Sequence, residues 1–319
     1  MQAATVVVVN YGSHQLIDRN LPELGETADV IVVDNPTGAN ERQAIRELCR
    51  RRRWALIEMP RNVGFGAAVN VAVRQAPDDV DAVVVLNPDC ALDVAVVCEL
   101  IAASRCDPDA LVTPTLANTS GHVDYAGSTM SLRTGEIRGA ASTRPYRTMP
   151  RMLTSEYAPA RADWVPGTCL ALSRDLFERL GGFDEAYFLY WEDVDLSYRC
   201  VAAGGRLVVR HDLVAVHDSG GTQGPQSGRA KSPTYYRYNC RNRLLFAARH
   251  LDRRSRLAWA LLTPAVGWEI LLRGGRRQLL RSWRPWWAAL RGSLEGLLLL
   301  LARRGTVTPA PAIQPPACR

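Results

Sequence analysis

Three acidic residues, Glu192, Asp193 and Asp195, stand directly behind the bulky run FLYW at 188–191. Apolar and aromatic neighbours disfavour the ionised form of a carboxylate, and a second acid nearby has the same effect. One of these carboxylates is therefore expected to have a raised pKa, which suits a general base.

The same acids also suit the first turn of a helix, where the helix dipole favours negative charge. Val194, Tyr198 and Val201 recur at helical spacing, and Gly204-Gly205 would end the segment. Residue spacing alone therefore leaves a structural and a catalytic interpretation open.

Polar side chains follow three short apolar runs. The runs are TVVVV at 5–9, VIVVD at 30–34 and AVVVL at 82–86. They end in Asn10 with Tyr11, Asp34 with Asn35, and Asn87 with Asp89. Continuous β-branched runs are typical of parallel strands buried on both faces, and such sheets bind ligands at the carboxyl ends of their strands. Each polar end also suits an ordinary turn, but three of them indicate a site.

The elements that must position these residues alternate along the chain. Helices are predicted at 40–53 and 66–75, so the first hundred residues have the pattern of a doubly wound α/β unit. Residues 110–165 show a looser pattern. A strand and a helix are predicted within 165–180, and two short strands within 206–222, ending at His217. Beyond about residue 230 the pattern is helical.

Two further motifs offer contacts to phosphate or metal. The segment RNVGFGAAVN at 61–70 opens a helix with two glycines, which suits a tight turn, a sugar-nucleotide contact or, with its third glycine missing, a dinucleotide site. Asn87 and Asp89 point to the same side of an extended chain and supply oxygen ligands for a hard divalent cation. His217 is either a nitrogen ligand or an ordinary hydrogen-bonded histidine.

Together these segments resemble family 2 glycosyltransferases, and most closely the rhamnosyltransferase-like branch, whose members act on lipid-linked cell-envelope precursors. The resemblance covers about residues 3–245. It is carried by DN at 34–35, RNVGFGAAVN at 61–70, LNPD at 86–89, PG at 166–167, GGFDEAYFLYWEDVDLSYRC at 181–200 and VAVHDSGGT at 214–222.

The resemblance implies a GT-A fold, a nucleotide-sugar donor, a divalent metal (Mg²⁺ or Mn²⁺) and inversion at the anomeric carbon. Asp34 would meet the base or ribose, and Asp89 would hold the metal at the diphosphate with His217 beside it. The expected donor-binding set is Asn10, Tyr11, Asp34, Asn35, Arg61, Asn62, Gly64, Asn87 and Asp89. The usual acidic D-x-D motif stands here as Asn87-x-Asp89, one negative charge fewer.

The implied catalytic base lies in the Glu192-Asp193 pair. We assign the base to Asp193, with Glu192 orienting the acceptor or the base and Asp195 capping the helix. Inverting transfer needs one carboxylate to take the acceptor proton and positive charge at the leaving diphosphate, so a base and a metal suffice. Trp164, Gly167 and Trp191 are expected on the acceptor side.

Composition sets further expectations. The chain has 319 residues and a formal net charge of +7, with Arg and Trp crowded after residue 250. Its eight cysteines form no C-x-x-C pair, which predicts neither a zinc ribbon nor a disulfide framework. The N-terminus lacks the pattern of a signal peptide, and no stretch reads as a spanning helix. A reduced, cytoplasmic setting is expected.

The C-terminal region is expected to lie on a membrane. One side of its last helix is apolar, with Trp283, Trp286, Trp287, Leu290, Leu294, Leu297, Leu298 and Leu301. Arginines flank that side, as in helices at a membrane interface. A helical hairpin packed on the catalytic domain or against a second copy of the chain is the alternative. No nucleic-acid partner is expected, because the basic residues alternate with leucine and tryptophan.

The predicted organisation is an α/β GT-A domain at 1–245, a helical extension at 246–304 and a Pro-rich tail at 305–319. Within the first domain, 1–110 would bind the nucleotide sugar and 111–245 the acceptor. The predicted function is transfer of a sugar, with rhamnose favoured, from a dTDP- or UDP-sugar to a hydroxyl of a lipid-linked or polysaccharide acceptor, at the inner face of the plasma membrane. Alternatives are a non-catalytic membrane-associated scaffold of the same fold and a nicotinamide-dependent oxidoreductase.

Overall fold

The computed structural model of the chain describes residues 3–21, 24, 27–139, 142, 146–147, 161–218 and 230–302. Its strands are β1 Ala3–Asn10, β2 Asp29–Asp34, β3 Ala55–Glu58, β4 Val80–Leu86, β5 Cys90–Ala91, β6 Ala110–Ala117, β7 Val123–Tyr125, β8 Ser128–Ser131, β9 Ile137–Gly139, β10 Arg161–Trp164, β11 Cys169–Ser173 and β12 Arg206–His217. Its helices are α1 His14–Asn20, α2 Ala39–Arg52, α3 Phe65–Gln75, α4 Val94–Cys106, α5 Arg174–Arg179, α6 Glu192–Ala202, α7 Pro233–His250, α8 Arg253–Leu261, α9 Thr263–Leu272, α10 Arg276–Arg281 and α11 Arg284–Ala302.

The central sheet has the strand order β3-β2-β1-β4-β11-β6-β12-β5, and β7 pairs with β6. Strands β3, β2, β1 and β4 are parallel, β11 runs antiparallel between β4 and β6, and β12 is parallel to β6. A second, antiparallel sheet has the order β10-β8-β9. The mostly parallel central sheet predicted from the sequence is confirmed.

Alternating residues of β1 show why the apolar runs form this sheet. Val6 and Val8 lie in one core cluster, and Val7 and Val9 lie in another. Because successive side chains of a strand point to opposite faces, an unbroken valine run fills the core on both sides. Helices α2 and α4 cover the first face, and α3, α5 and α6 cover the second.

The middle of the chain is more regular than predicted. Strand β6, ALVTPTLA, is buried along its whole length and lies between β11 and β12. The two short strands expected within 206–222 are a single strand, β12, whose register on β6 shifts between Arg210 and Val214. That irregularity interrupts the alternation of side chains, which explains why one strand resembles two.

The C-terminal helices pack around α7. Gly292 and Gly296 of α11 meet the α7 backbone, with Gly292 against the carbonyl of Arg237. The predicted boundary at residue 245 falls inside α7, whose other side contacts the catalytic part of the chain. Among the helices described, none is both long and apolar enough to cross a membrane. The predicted tail at 305–319 and Cys318 lie outside the described residues, and the other seven cysteines are free thiols.

Candidate active site

The carboxyl ends of β1 and β2 are tied together by buried polar groups. The amide nitrogen of Asn10 donates to Asp34 Oδ1 at 2.8 Å, and Arg42 Nε donates to Asp34 Oδ2 at 2.9 Å. Asp34 is fully buried, so its oxygens hold the strand ends together in this structure. Tyr11, the next residue, is 51% exposed and offers its ring to a ligand at this edge. A nucleotide contact for Asp34 stays a prediction.

Asparagine side chains shape the loop before α3. Asn35 accepts a hydrogen bond from Val63 N and donates to Gly64 O, both at 3.1 Å, while Asn62 accepts from Gly64 N at 2.9 Å. Arg61 is exposed at the start of this loop. Asn35 and Asn62 therefore fix the loop that was predicted to line the donor pocket, and Arg61 is exposed at its start.

The predicted metal residues Asp89 and His217 come together although they are far apart in sequence. β5 begins beside Asp89 and pairs antiparallel with the end of β12, which places His217 Nε2 3.5 Å from Asp89 Oδ1. Among the described residues there is no cluster of three His, Cys, Asp or Glu that would hold a cation by itself. One carboxylate and one imidazole fit a cation that takes its remaining ligands from diphosphate oxygens and water.

The predicted catalytic pair stands at the beginning of α6, whose first residue is Glu192. The carboxylate of Asp193 accepts hydrogen bonds from Gly167 N at 3.1 Å and from Val194 N at 2.8 Å. Gly167 was expected on the acceptor side, and its backbone N–H here holds the candidate base. Asp193 keeps partial access to solvent, whereas Glu192 is 7% exposed.

Burial raises the pKa of both carboxylates. Burial raises the pKa of Asp193 to about 6, against the opposing effect of its backbone hydrogen bonds. Burial first, and the charge of Asp193 second, raise the pKa of Glu192 well above its ordinary value. The raised pKa predicted for this stretch is confirmed. Both shifts favour the protonated forms, and the backbone hydrogen bonds from Gly167 and Val194 favour the ionised form of Asp193.

Asp195 does not cap the helix, and that prediction was wrong. The N-cap of α6 is Trp191, which makes no side-chain cap hydrogen bond, and Asp195 lies four residues further on. Its carboxylate contacts His250 Nε2 at 2.6 Å and Arg199 Nε at 2.7 Å. Burial alone would raise the pKa of Asp195, but the hydrogen bond from His250 and the charge of Arg199 lower it below its ordinary value.

Backbone contacts bring the donor loop, the metal residues and the base to one place. Thr168 O accepts from Asn87 N at 2.8 Å, while its neighbour Gly167 holds Asp193. On the other side Phe65 N, at the start of α3, donates to Phe188 O at 2.8 Å. The candidate base Asp193 therefore lies beside the Asn87 turn and near the loop before α3.

The two tryptophans expected on the acceptor side have different surroundings. Trp164 is half-buried, packs beside Tyr125 with ring centroids 6.2 Å apart, and has a buried ring N–H without a hydrogen-bond partner among the described residues. Trp191 is 4% exposed and packs against Phe246 and Trp259. An acceptor contact for either ring stays a prediction.

Several residues that hold the site were missed in the sequence. Asn70 of α3 exchanges two hydrogen bonds with the backbone of Phe183, and Asn242 of α7 donates to the loop before Glu192. An asparagine inside the apolar run of α3 was a visible signal. Asn242 gave no such signal, because it stands in a polar stretch about 50 residues after the Glu192-Asp193 pair.

This fold and site define an α/β protein with a ligand site at the carboxyl edge of its sheet and a candidate base on the neighbouring helix. The sequence model described as Glycosyl transferase family 2 matches residues 5–181, more than half of the chain, so the chain belongs to that family.

Curated relatives include a hexosyltransferase of low-salt glycan biosynthesis, Agl10, from Haloferax volcanii, which is 23% identical over 61% of this chain. The chain spans 60% of the length of that relative. The N-acetylglucosaminyl-diphospho-decaprenol L-rhamnosyltransferase of Mycobacterium tuberculosis is 30% identical over 62% of this chain and 70% of its own length. The chain is thus similar to rhamnosyltransferases, as the sequence motifs predicted.

A solved structure of GalNAc-T7 with UDP, GalNAc and Mn²⁺ superposes with a TM-score of 0.56 at 16% identity, over 81% of this chain and 50% of that one. That likeness concerns the fold alone. The fold is the predicted GT-A fold, with a curled mixed sheet flanked by helices and a C-terminal helical region.

Proposed function

We propose that this protein is an inverting glycosyltransferase with Asp193 as its general base. The observation that carries the proposal is the environment of Asp193. It is a partly exposed carboxylate whose pKa burial raises to about 6, held by Gly167 N–H beside the Asn87 turn. A base whose pKa lies just below neutral is ionised at neutral pH and still accepts a proton readily.

In the proposed reaction Asp193 takes the proton of the acceptor hydroxyl while the oxygen of that hydroxyl attacks the anomeric carbon of the donor sugar. The bond from that carbon to the diphosphate breaks, and the nucleoside diphosphate leaves with the bond electrons. Burial favours the neutral form of Glu192, and a neutral Glu192 adds no second negative charge beside the attacking oxygen. One carboxylate acting from the face opposite the leaving group inverts the configuration.

The leaving diphosphate needs positive charge on its side of the sugar. Asp89 and His217 would hold a divalent cation, Mg²⁺ or Mn²⁺, and that cation would neutralise the developing charge of the diphosphate. Arg61 would bind the donor phosphates, and the exposed ring of Tyr11 would stack on the nucleotide base.

The names of the relatives support a proposal for the substrates. We propose a dTDP- or UDP-sugar donor, with rhamnose favoured because the Mycobacterium tuberculosis relative is named as an L-rhamnosyltransferase. The acceptor would be a sugar hydroxyl on a prenyl diphosphate or a growing glycan, since that relative is named for a decaprenol-linked sugar and the Haloferax volcanii relative for glycan biosynthesis.

Donor stabilisation and sugar transfer test this function together. Purified protein is screened with Mg²⁺ or Mn²⁺ against dTDP-, UDP- and GDP-sugars, first by thermal shift and then by nucleotide release with a prenyl-diphosphate-linked sugar. Asp193→Asn is expected to lower the transfer rate about 10²- to 10⁴-fold without weakening donor binding. Asp175→Asn, a surface acid paired with Arg179, is the matched control and should leave the rate unchanged.

Two results would contradict the proposal in different ways. Transfer by Asp193→Asn at the wild-type rate would remove Asp193 as the base. A melting curve that no nucleotide sugar shifts with either metal would favour the alternative, a scaffold that keeps the fold without catalysis.

We also propose that the C-terminal helices bind the inner face of the plasma membrane. A row of apolar side chains is exposed on α10, on the short connection to α11 and on the side of α11 away from α7: Leu280, Trp283, Trp287, Leu290, Leu294 and Leu298. Exposed arginines stand among them at 276, 277, 281, 284 and 291. Monomeric proteins rarely expose so continuous an apolar surface, and basic flanks match anionic lipid headgroups.

Vesicle sedimentation tests this surface. Wild-type protein is expected to sediment with vesicles of mixed anionic and neutral lipid and to be released in part by high salt, while Trp287→Glu combined with Leu294→Glu abolishes binding. Val201→Glu, at an equally exposed apolar residue of α6, is the control. If wild-type protein does not sediment with vesicles and forms a dimer that Trp287→Glu dissociates, the surface binds a second copy of the chain instead.

A further inference from the structure

The loop that leads into the catalytic pair has an unusual backbone. Phe188, Tyr190 and Trp191 have φ values of 48°, 66° and 76°, in the left-handed region that residues other than glycine rarely adopt. Glu192 and Asp193 follow at once. Such conformations persist only where surrounding contacts fix them, so the position of the pair depends on what holds this loop.

A single side chain of α7 contacts three carbonyl groups of the loop. Asn242 is fully buried, and its amide nitrogen donates to the backbone oxygens of Tyr187 at 2.7 Å, Leu189 at 2.9 Å and Tyr190 at 2.8 Å. Its amide oxygen accepts from Arg241 Nη1. The loop directs the carbonyls of Tyr187, Leu189 and Tyr190 to one point, while that of Phe188 accepts from Phe65 N. A donor at that point satisfies oxygens that would otherwise be buried and unpaired.

Aromatic rings extend the same contact along α7. Residues 235, 238, 242 and 246 have the spacing of one helix face. Three rings of the loop each pack on one ring of that face: Phe188 on Tyr238 at 5.0 Å, Tyr190 on Tyr235 at 5.3 Å and Trp191 on Phe246 at 5.8 Å between centroids. The face of α7 is thus complementary to the loop residue by residue, with Asn242 at its polar centre.

We propose that Asn242 is a positioning residue for sugar transfer, which holds the loop at 187–191 so that Asp193 meets Gly167 and the acceptor. It acts through the loop and need not touch a substrate. The inference rests on the proposed function, because it assigns Asn242 to the reaction for which Asp193 is the base.

Asn242→Asp tests the proposal with little change of shape. It turns the donor into an acceptor that faces three other acceptors, so the loop must move away. The matched control is Asn239→Asp. Asn239 is also buried on α7, but within the described part of the chain its amide donates only to Tyr235 O of the same helix. Both variants carry the same chemical change on the same helix.

The expected result for Asn242→Asp is a kcat about ten- to a hundredfold lower with an unchanged KM for the nucleotide sugar. The acid limb of its pH-rate profile should move to lower pH, because an Asp193 released from its surroundings loses the burial that raises its pKa. Hydrogen exchange should accelerate for amides in 187–195. Asn239→Asp should resemble wild type in all three measurements.

Equal kcat, pH profile and exchange in the two variants would overturn the inference. If Asn242→Asp does not fold, Asn242→Ala beside Asn239→Ala makes the same comparison without an added charge. Failure of the proposed function would be seen in a different result, because wild-type protein would then transfer no sugar. The exchange rates would still decide whether Asn242 holds the loop.

Discussion

Glu192 and Asp193 are chemical neighbours with different environments. Glu192 is almost fully buried, while Asp193 retains solvent access and two backbone N–H donors that oppose the effect of burial on its pKa. The two adjacent carboxylates therefore differ in burial and in backbone donors, and the donors favour the ionised form of Asp193. The sequence predicted a raised pKa in this stretch, but which acid keeps hydrogen-bond donors depends on Gly167, 26 residues away in sequence.

The rate of sugar transfer should depend on the ionisation of Asp193. A general base works only when deprotonated, so with a pKa of about 6 the rate should be constant above neutral pH and fall about tenfold per pH unit well below 6. The measurement is kcat/KM from pH 4.5 to 8, with circular dichroism as the check that the protein stays folded. A rate independent of pH across this range would mean that another group accepts the proton.

Glu192 should make folding stability depend on pH. Its pKa is higher in the folded state than in the unfolded state, so its contribution to stability is present below the ordinary pKa and is lost as pH rises through the folded value. The loss is up to about 1.4 kcal/mol per pH unit. Glu192→Gln removes this loss. In denaturant unfolding, the free energy of unfolding of the variant should therefore rise relative to that of wild type from pH 5 to 8. A constant difference between them would contradict the raised pKa.

At the scale of elements, the close contact between the loop before α3 and the loop at 187–191 depends on a glycine. Gly64 precedes α3 with φ +90°, and a Cβ there would lie 2.2 Å from Phe188 O. Gly64→Ala should therefore destabilise the fold by about 2 kcal/mol or more and slow transfer.

Gly38 supplies the control for this substitution. It precedes α2 in the same way, but its backbone is extended and a Cβ would meet nothing within 4 Å. Gly38→Ala should change the free energy of unfolding by less than about 1 kcal/mol. Equal effects of the two substitutions, measured by chemical denaturation, would mean that the two loops do not touch.

The elements that the sequence predicted correctly are those whose signal is local. β1, β2 and β4 are runs of valine and isoleucine, and α3 combines a glycine start with apolar periodicity. β6 escaped prediction because Pro114 and its threonines suggest a loop, although tertiary packing buries them all. The contacts of Asn242 and His250 with the α6 region span more than 50 residues, and no local pattern encodes such pairings.

At the scale of the whole molecule, α7 joins the two surfaces on which the proposals rest. One of its faces carries Asn242 and the rings that meet the catalytic loop, while Arg237 and Arg241 meet the glycines of α11. The exposed apolar row lies on the far side of α11. The proposed membrane surface is therefore only two helices away from the base, which would bring a lipid-linked acceptor to a site that the same helices support.

This arrangement predicts opposite effects for two glycines in the middle of helices. A Cβ at Gly292 would lie 2.0 Å from Arg237 O, so Gly292→Ala should push α11 from α7, destabilise the fold by about 1–3 kcal/mol and lower kcat through the shifted α7. Gly267 of α9 has nothing within 4 Å of such a Cβ, and Gly267→Ala should stabilise the fold by about 0.5–1 kcal/mol. Denaturant unfolding and transfer rates check both variants. A Gly292→Ala variant as stable as wild type would show that α11 does not brace α7. An unchanged kcat in a destabilised Gly292→Ala would separate the packing of these helices from the site.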